Sequence, residues 1–472
     1  MTTVIERETV LKLMSELRIH APESMVNRLH DSGIKRIILR NAKKIDGYYH
    51  MDNTIFSQLQ PLLTKGLIEN KLLFLRNSND LEFIFNLYQV YKSGLLPILI
   101  SPLTTDSEIE EFLSRFRPGG LFDGGRFILI GESGFPQNNH KSDAAVILTS
   151  GSSGKPKAVV HTFQSLFNAA KRGNRKLEVD QHDSWLLSLP LHHISGFSIL
   201  YRAMVASIPL ILSESLNLSD NEFDNALKLN PTLVSFVPSQ LRELLNSGKS
   251  AITNFRHILV GGSAVDSRLI KESMEASLKV SKVYGSSETA AFIAMAEFDS
   301  LKSNVDSGAR PLEGVNISIV DGELLVSTDQ LFNRYLDDDD LTSEKLVDGK
   351  FHTGDIAKVD AKGLFKITGR KSRFIISGGL NVDPQEVEDV ILTFPGVVEV
   401  FVFSVVNEKW GEAVSALLKT DTEIDFQDFH SYLKTRLMIY KIPKYYKIVD
   451  EIPLSAIGKY DLAGSRRLLF ER

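Results

Sequence analysis

Residues 149–162, TSGSSGKPKAVVHT, bring together what a phosphate chain needs from a protein. Gly151 and Gly154 allow close approach and positive φ. Thr149, Ser150, Ser152 and Ser153 add hydroxyl donors, Lys155 and Lys157 add charge, and Pro156 stiffens the segment that aims Lys157. The apolar run Ala144 to Leu148 ahead of them reads as a buried strand. A strand running into such a loop presents several backbone N–H groups to one anion. The spacing is not that of a Walker A loop, because Pro156 follows Gly154-Lys155 and Thr149 stands five positions before Gly154. Alone, the stretch reads more readily as a surface turn than as a site.

Further along, Tyr284-Gly285-Ser286-Ser287-Glu288 sets an aromatic face beside a glycine, which could serve as a platform for a nucleobase and by itself reads more readily as a turn. A carboxylate three residues after that glycine, Glu288, can hold Mg²⁺ against phosphate oxygens. Asp355, after Thr353-Gly354, can accept from both ribose hydroxyls, and it also reads as an ordinary β-turn residue. Gly261-Gly262 is by itself a tight turn. His192 and His193, adjacent in an extended segment, are expected on opposite faces, which argues against a metal pair. Asp337 to Asp340 reads as a solvated turn. Lys434, Arg436, Lys441, Lys444 and Lys447 read either as a solvated face or as a contact for a phosphorylated ligand.

In order and spacing, the stretches 149–158, 190–196, 284–288, 353–355, 369–384 and 453–459 together resemble the motifs of the adenylate-forming superfamily. That group comprises acyl-CoA synthetases, adenylation domains and luciferases. The resemblance implies that Thr149, Ser150, Gly151, Ser152, Ser153, Gly154 and Lys157 hold the β- and γ-phosphates of ATP. It implies an adenine site at Gly262, Tyr284, Gly285 and Ser287, with Glu288 on Mg²⁺ and Asp355 and Arg370 on the ribose. His193 falls at the acyl pocket, with His192 in the place of a common Phe. Gly378 and Gly379 would let the pantetheine arm of coenzyme A pass, and Lys459 would meet the carboxylate and α-phosphate. Departures are Ala158 for Gly, Arg373 for Asp and Leu380 for Glu.

The elements that must carry these residues alternate strand and helix. Strands are expected at 72–75, 95–100, 127–130, 144–148, 185–189, 233–237 and 257–260, and helices at 81–93, 105–116, 163–177 and 239–245. The fold class is therefore α/β: a large N-terminal domain, 1–371, of βαβ-type sheets flanked by helices, and a small α+β domain, 372–472. The resemblance implies that this second domain is a mobile lid hinged at Ser372. A chain of 472 residues is too long for one core. With a net charge of −5 it carries no polyanion-binding signature, so no nucleic-acid partner is expected. It has no cysteine, so any thiol must come with a substrate. No apolar segment is long enough to insert in a membrane, and the amphipathic first twenty residues carry acids and lack the apolar core of a signal peptide, so a cytoplasmic protein is expected.

The resemblance implies a two-step ligase that converts a small-molecule carboxylic acid, ATP and coenzyme A first to an acyl-adenylate and then to a thioester. The compact N-terminal region, residues 189–197 and Ser372 resemble ligases for an aryl dicarboxylic acid. Against this, Thr289-Ala290-Ala291-Phe292 is apolar for the surroundings of a dicarboxylate. The alternatives are a CoA ligase for another aryl or medium-chain acid and a stand-alone adenylation enzyme that loads a carrier protein. A homodimer is compatible with the sequence, which leaves the oligomeric state open.

Overall fold

A computed structural model describes residues 7–17, 19–20, 43–45, 48–50, 72–76, 81–123, 126–129, 142–149, 156–213, 221–247, 255–371, 375–377, 380–454 and 460–471. The chain divides into two compact units, one of residues 1–316 and 327–350, the other of 317–326 and 351–472.

The first unit is built on two sheets. In one, the strands run in the order Arg334–Tyr335, Lys157–Thr162, Asp143–Thr149, Leu96–Ile100, Leu72–Arg76, Gly120–Asp123, Arg126–Leu129. Leu72–Arg76 is parallel to both of its neighbours, with Phe74 opposite Ile98 and Leu121. Leu72, Leu73, Phe74 and Leu75 are all buried, which is why this strand reads as an unbroken apolar run and not as an alternation. Helix Asp106–Phe116 covers it. Its Thr105 hydroxyl accepts from the Glu108 N–H while the Glu108 carboxylate accepts from Thr105 N at 2.8 Å, a reciprocal cap that contributes about 1 kcal/mol. That fixes the register that turns Ile109, Phe112 and Phe116 inward, with Phe116 edge-on to Phe74 at 6.5 Å.

The second sheet runs Arg310–Pro311, Ala291–Ala296, Val280–Ser286, His257–Val260, Leu233–Phe236, Trp185–Leu187, Leu210–Leu212 and then three short N-terminal strands. Its central strands are parallel, with Leu233 opposite His257 and Val260 opposite Lys282. Leu241, Leu244, Leu269 and Ile270, from the helices Pro238–Asn246 and Ser267–Glu275, pack on Val234, Phe236, Ile258 and Val260. The βαβ reading holds for this core. The sheets are nonetheless mixed: the pairs 143–149/157–162 and 280–286/291–296 are antiparallel hairpins, and both flank the candidate site.

In the second unit, Lys350–Val359 and Phe365–Arg370 form an antiparallel pair, and Glu323–Ser327 lies against the first of them. Residues beyond 375 form a separate sheet in which Gly411–Thr420 lies between Val397–Asn407 and the parallel strand Tyr445–Ile448. Helices Pro384–Ile391 and Phe426–Lys434 close its core through Val387, Ile391, Phe429 and Leu433. Among the described residues, no helix is long and apolar enough to cross a membrane.

The four-acid run does more than a solvated turn. Asp338 accepts from Leu341 N at 3.0 Å and caps the helix Asp339–Lys345, whose first turn holds Asp339 and Asp340 at the positive end of its dipole.

Candidate active site

The phosphate-loop candidate is the connection of an antiparallel hairpin. Strand Asp143–Thr149 leads into it and Lys157–Thr162 leads out, with Thr149 and Lys157 directly opposite each other. Arg115 Nη1 donates to the Pro156 carbonyl at 2.6 Å and fixes the exit. Ser150, Gly151, Ser152, Ser153, Gly154 and Lys155 lie outside the described residues, as do Ser372, Gly378, Gly379 and Lys459.

Glu288 sits in the short 3₁₀ turn Ser287–Thr289, at the end of strand Val280–Ser286. Three consecutive carbonyls of this turn are each gripped by a different group. His161 Nε2 donates to Ser287 O at 2.7 Å, Phe332 N to Glu288 O at 2.8 Å, and Gln330 Nε2 to Thr289 O at 2.7 Å. The hydroxyl of Tyr335 then donates to Glu288 Oε1 at 2.9 Å. The turn closes through Ala290 and Ala291 at φ 50 and 80, a left-handed pair without glycine that this set of bonds must hold in place. Because Nε2 of His161 donates to a carbonyl, Nδ1 is the unprotonated nitrogen, 3.2 Å from Ser165 Oγ. Burial lowers the pKa of His161 to about 4.

Tyr284 and Gly285 lie beside Gly261-Gly262 at the carboxyl ends of adjacent parallel strands, where α/β sheets place ligands. A side chain at Gly285 would overlap the Ala291 carbonyl oxygen, and one at Gly261 would come within 2.8 Å of the Val283 carbonyl oxygen, so both must be glycine for the strand ends to meet. The pairing shifts register between Tyr284 and Gly285, which re-aims the tyrosine.

The two histidines differ from expectation. Pro190 and Leu191 lead into a turn, not an extended strand, because His193 N bonds back to Pro190 O at 3.1 Å. His193 becomes the N-cap of helix Ile194–Ala206, and the two rings lie 4.3 Å apart instead of facing opposite ways. Burial lowers the pKa of His192 to about 4, so its ring is neutral at pH 7.

Arg202, missed in the sequence reading, lies on the same helix and is 3% exposed. Its guanidinium stands 4.5 Å from the Phe292 ring centre and 5.6 Å from that of Trp185. A Cβ on Gly173 would come within 3.1 Å of its Nε, so that glycine makes room for it. No carboxylate among the described residues pairs with it, its buried Nε has no hydrogen-bond partner, and burial lowers its pKa to about 9. A buried cation without its anion is costly, and a ligand carboxylate is one way to meet that cost.

In the second unit, Asp355 and Arg370 are direct cross-strand partners, with Nε 3.4 Å from Oδ1. The turn before Asp355 is anchored by Glu323, which accepts from Gly354 N at 2.8 Å through Oε1 and from Lys371 Nζ at 2.8 Å through Oε2. Burial alone would raise the pKa of Glu323, but these two donors outweigh it and hold the carboxyl below its usual range. Three of the C-terminal basic residues are taken up within the unit: Lys441 pairs with Glu386, Lys447 donates to the carbonyls of Leu468 and Glu471, and Lys444 to that of Ile439.

Among the described residues, no group of three His, Asp or Glu side chains converges on a cation. The surroundings of Glu288 nonetheless fit Mg²⁺: one oxygen is held by Tyr335, and nothing among the described residues donates to the other. Mg²⁺ takes few carboxylates and completes its shell with phosphate and water.

Two sheets, a hairpin loop between strands 143–149 and 157–162, glycine turns at the ends of parallel strands and a separate C-terminal unit are the parts of the adenylate-forming fold. The chain belongs to the family of AMP-binding enzymes: the model of that family matches residues 20–336, and the model of its C-terminal domain matches 386–459. A 2-succinylbenzoate–CoA ligase of Bacillus licheniformis is 32% identical over 331 residues, 68% of this chain and 69% of that protein. Its counterpart in Listeria monocytogenes serotype 4b is 33% identical over 320 residues, 67% and 68% of the two chains. Among solved structures, o-succinylbenzoate–CoA synthetase of Bacillus subtilis with its acyl-adenylate intermediate superposes with a TM-score of 0.76 at 24% identity, over 96% of this chain and 98% of that one. ATP-bound MatB of Rhodopseudomonas palustris gives 0.77 at 20% identity, over 98% and 99%.

Proposed function

We propose that the protein is an AMP-forming 2-succinylbenzoate–CoA ligase of menaquinone biosynthesis. The observation that carries the choice of acid is Arg202, a buried guanidinium with no carboxylate partner among the described residues. An acid with two carboxylates can have one activated while the other neutralises Arg202. The apolar Thr289–Phe292 segment, which counted against a dicarboxylate, supplies the Phe292 face on which this arginine rests. The named ligases of Bacillus and Listeria support the same reading.

In the first half-reaction a carboxylate oxygen of the acid bonds to the α-phosphorus of ATP, the bond to the β-phosphate oxygen breaks, and pyrophosphate leaves. The 149–157 loop holds the leaving phosphates, Lys157 adds positive charge, and Asp355 and Arg370 hold the ribose. Tyr284 stacks on the adenine beside Gly262, Gly285 and Ser287, and His193 borders the acyl pocket. Glu288 would hold Mg²⁺, which when bound would supply charge neutralisation for the departing pyrophosphate. Lys459 steadies the charge developing between carboxylate and α-phosphate, so the step relies on positioning and electrostatics. In the second half, the lid 372–472 turns about Ser372 and the thiol of coenzyme A passes Gly378 and Gly379. Its sulfur bonds to the acyl carbon, AMP leaves, and the thiol proton is released to solvent.

A panel of acids with ATP and coenzyme A, reading AMP and thioester separately, tests this. Turnover should be fastest with 2-succinylbenzoate, and Arg202→Met should raise its KM about 10- to 100-fold while leaving the slow turnover of an analogue that lacks the second carboxylate unchanged. Equal loss with both acids would sink the role of Arg202, and AMP release that answers to a carrier protein and not to coenzyme A would favour the loading enzyme. A cytoplasmic location belongs to this reading, supported by the need for ATP and coenzyme A, and fractionation checks it. The homodimer is part of the same proposal, and a single monomeric species in sedimentation would remove it.

A further inference from the structure

We propose that Tyr335 sets how Glu288 meets a divalent cation, restricting it to one oxygen and so biasing the nucleotide site towards Mg²⁺ over Ca²⁺. This rests on the reading of Glu288 as the metal ligand. Glu288 is 8% exposed and Tyr335 1%, so their 2.9 Å hydrogen bond is shielded from water. It occupies Oε1 and leaves Oε2 for a cation.

Tyr335 is held firmly enough to impose this. Its strand, Arg334–Tyr335, pairs with the strand leaving the phosphate loop, with Tyr335 opposite Val159 and Arg334 opposite Val160. Arg334 Nη2 is anchored on the buried Asp143 at 2.9 Å, and Tyr335 N donates to Thr342 Oγ1 at 2.9 Å. The ring packs on Phe332, whose own N–H holds the Glu288 carbonyl, and the ammonium of Lys157 stands 5.6 Å from the Tyr335 ring centre. One tyrosine thus ties the exit of the phosphate loop to the carboxylate.

The chemical consequence follows from the two ions. Ca²⁺ takes six to eight ligands in a loose shell and often accepts both oxygens of one carboxylate, whereas Mg²⁺ keeps a tight octahedron with single-oxygen carboxylates. A carboxylate with one oxygen already engaged suits the second ion and handicaps the first. Tyr335 is therefore a positioning residue: it acts through Glu288 and touches no reacting atom.

Calorimetric titration of the full chain with Mg·ATP and with Ca·ATP, without acid so that no turnover occurs, tests the inference. Tyr335→Phe should shrink the Mg·ATP over Ca·ATP preference about tenfold, the scale of one hydrogen bond to a charged group. Glu288→Gln should erase the preference. If Glu288→Gln keeps the wild-type ratio, Glu288 is not a ligand and both readings fall. If Glu288→Gln erases it but Tyr335→Phe matches wild type, only the role of Tyr335 is overturned. A ratio of two Kd values from one preparation does not depend on the folded fraction. Tyr335→Met, which also lacks the hydroxyl, repeats the comparison should the phenylalanine variant fail to fold.

Discussion

His161 Nε2 donates to the Ser287 carbonyl oxygen 2.7 Å away, and this bond joins strand Lys157–Thr162 to the turn bearing Glu288. Burial lowers the imidazole pKa from 6.5 to about 4. Between those values the unfolded chain binds a proton that the folded chain does not. Stability is therefore lost as pH falls from 6.5 towards 4, by about 3 kcal/mol at the end of that window. Urea midpoints measured across it should fall steeply. His161→Gln, which keeps a donor for Ser287 but does not titrate, should reduce the slope, leaving the part due to His192, whose pKa burial lowers to about 4, and to His257, whose pKa burial also lowers.

Asp355 faces Arg370 across two strands, which orients its carboxylate without any ligand. Asp355→Asn should weaken ATP binding by about 10- to 100-fold. The penalty should nearly vanish with 2′,3′-dideoxy-ATP. A full penalty on the dideoxy nucleotide would show that Asp355 acts on something other than the ribose.

Glu323 holds both Gly354, one residue before Asp355, and Lys371, one residue before the proposed hinge. Glu323→Gln keeps an acceptor for the Gly354 N–H, whereas Glu323→Ala leaves that donor unmet and should cost about 1–3 kcal/mol of stability. The KM for ATP should rise in the alanine variant and stay closer to wild type in the glutamine variant. Equal values in the two would separate Glu323 from the nucleotide site.

Lys459→Ala should lose most adenylation, read as pyrophosphate release, while thioester formation from supplied acyl-adenylate survives. Equal loss of both halves would contradict the assignment of Lys459 to the first step alone.

Much of the scaffold was legible because parallel strands covered on both faces read as apolar runs. Leu72–Arg76, Leu233–Phe236 and His257–Val260 lie within a residue or so of where the pattern places them. Glu288 and Asp355 stood out as candidates because they follow glycines, three residues and one residue on, in motif order. Their supports were not: His161 acts on a carbonyl 126 positions away and Tyr335 on a carboxylate 47 away, separations that no local pattern records. Arg202 did leave a trace, as the one charged residue in the apolar helix ISGFSILYRAMVA. The histidine pair was misread because Pro190 and Gly196, where a side chain would overlap the Pro190 carbonyl oxygen, force a turn that a strand-like reading does not foresee.

The hairpin beneath the phosphate loop has one more consequence. With Thr149 paired to Lys157, residues 150–156 are joined at the base before ATP binds. The entropy of bringing those ends together is lost in folding and does not count against nucleotide affinity. Lengthening the loop by a residue adds little to that closure term, since it grows only with the logarithm of length. A slip of one residue in the strand pairing would be far more damaging, because it would carry Lys157 to the opposite face of the sheet.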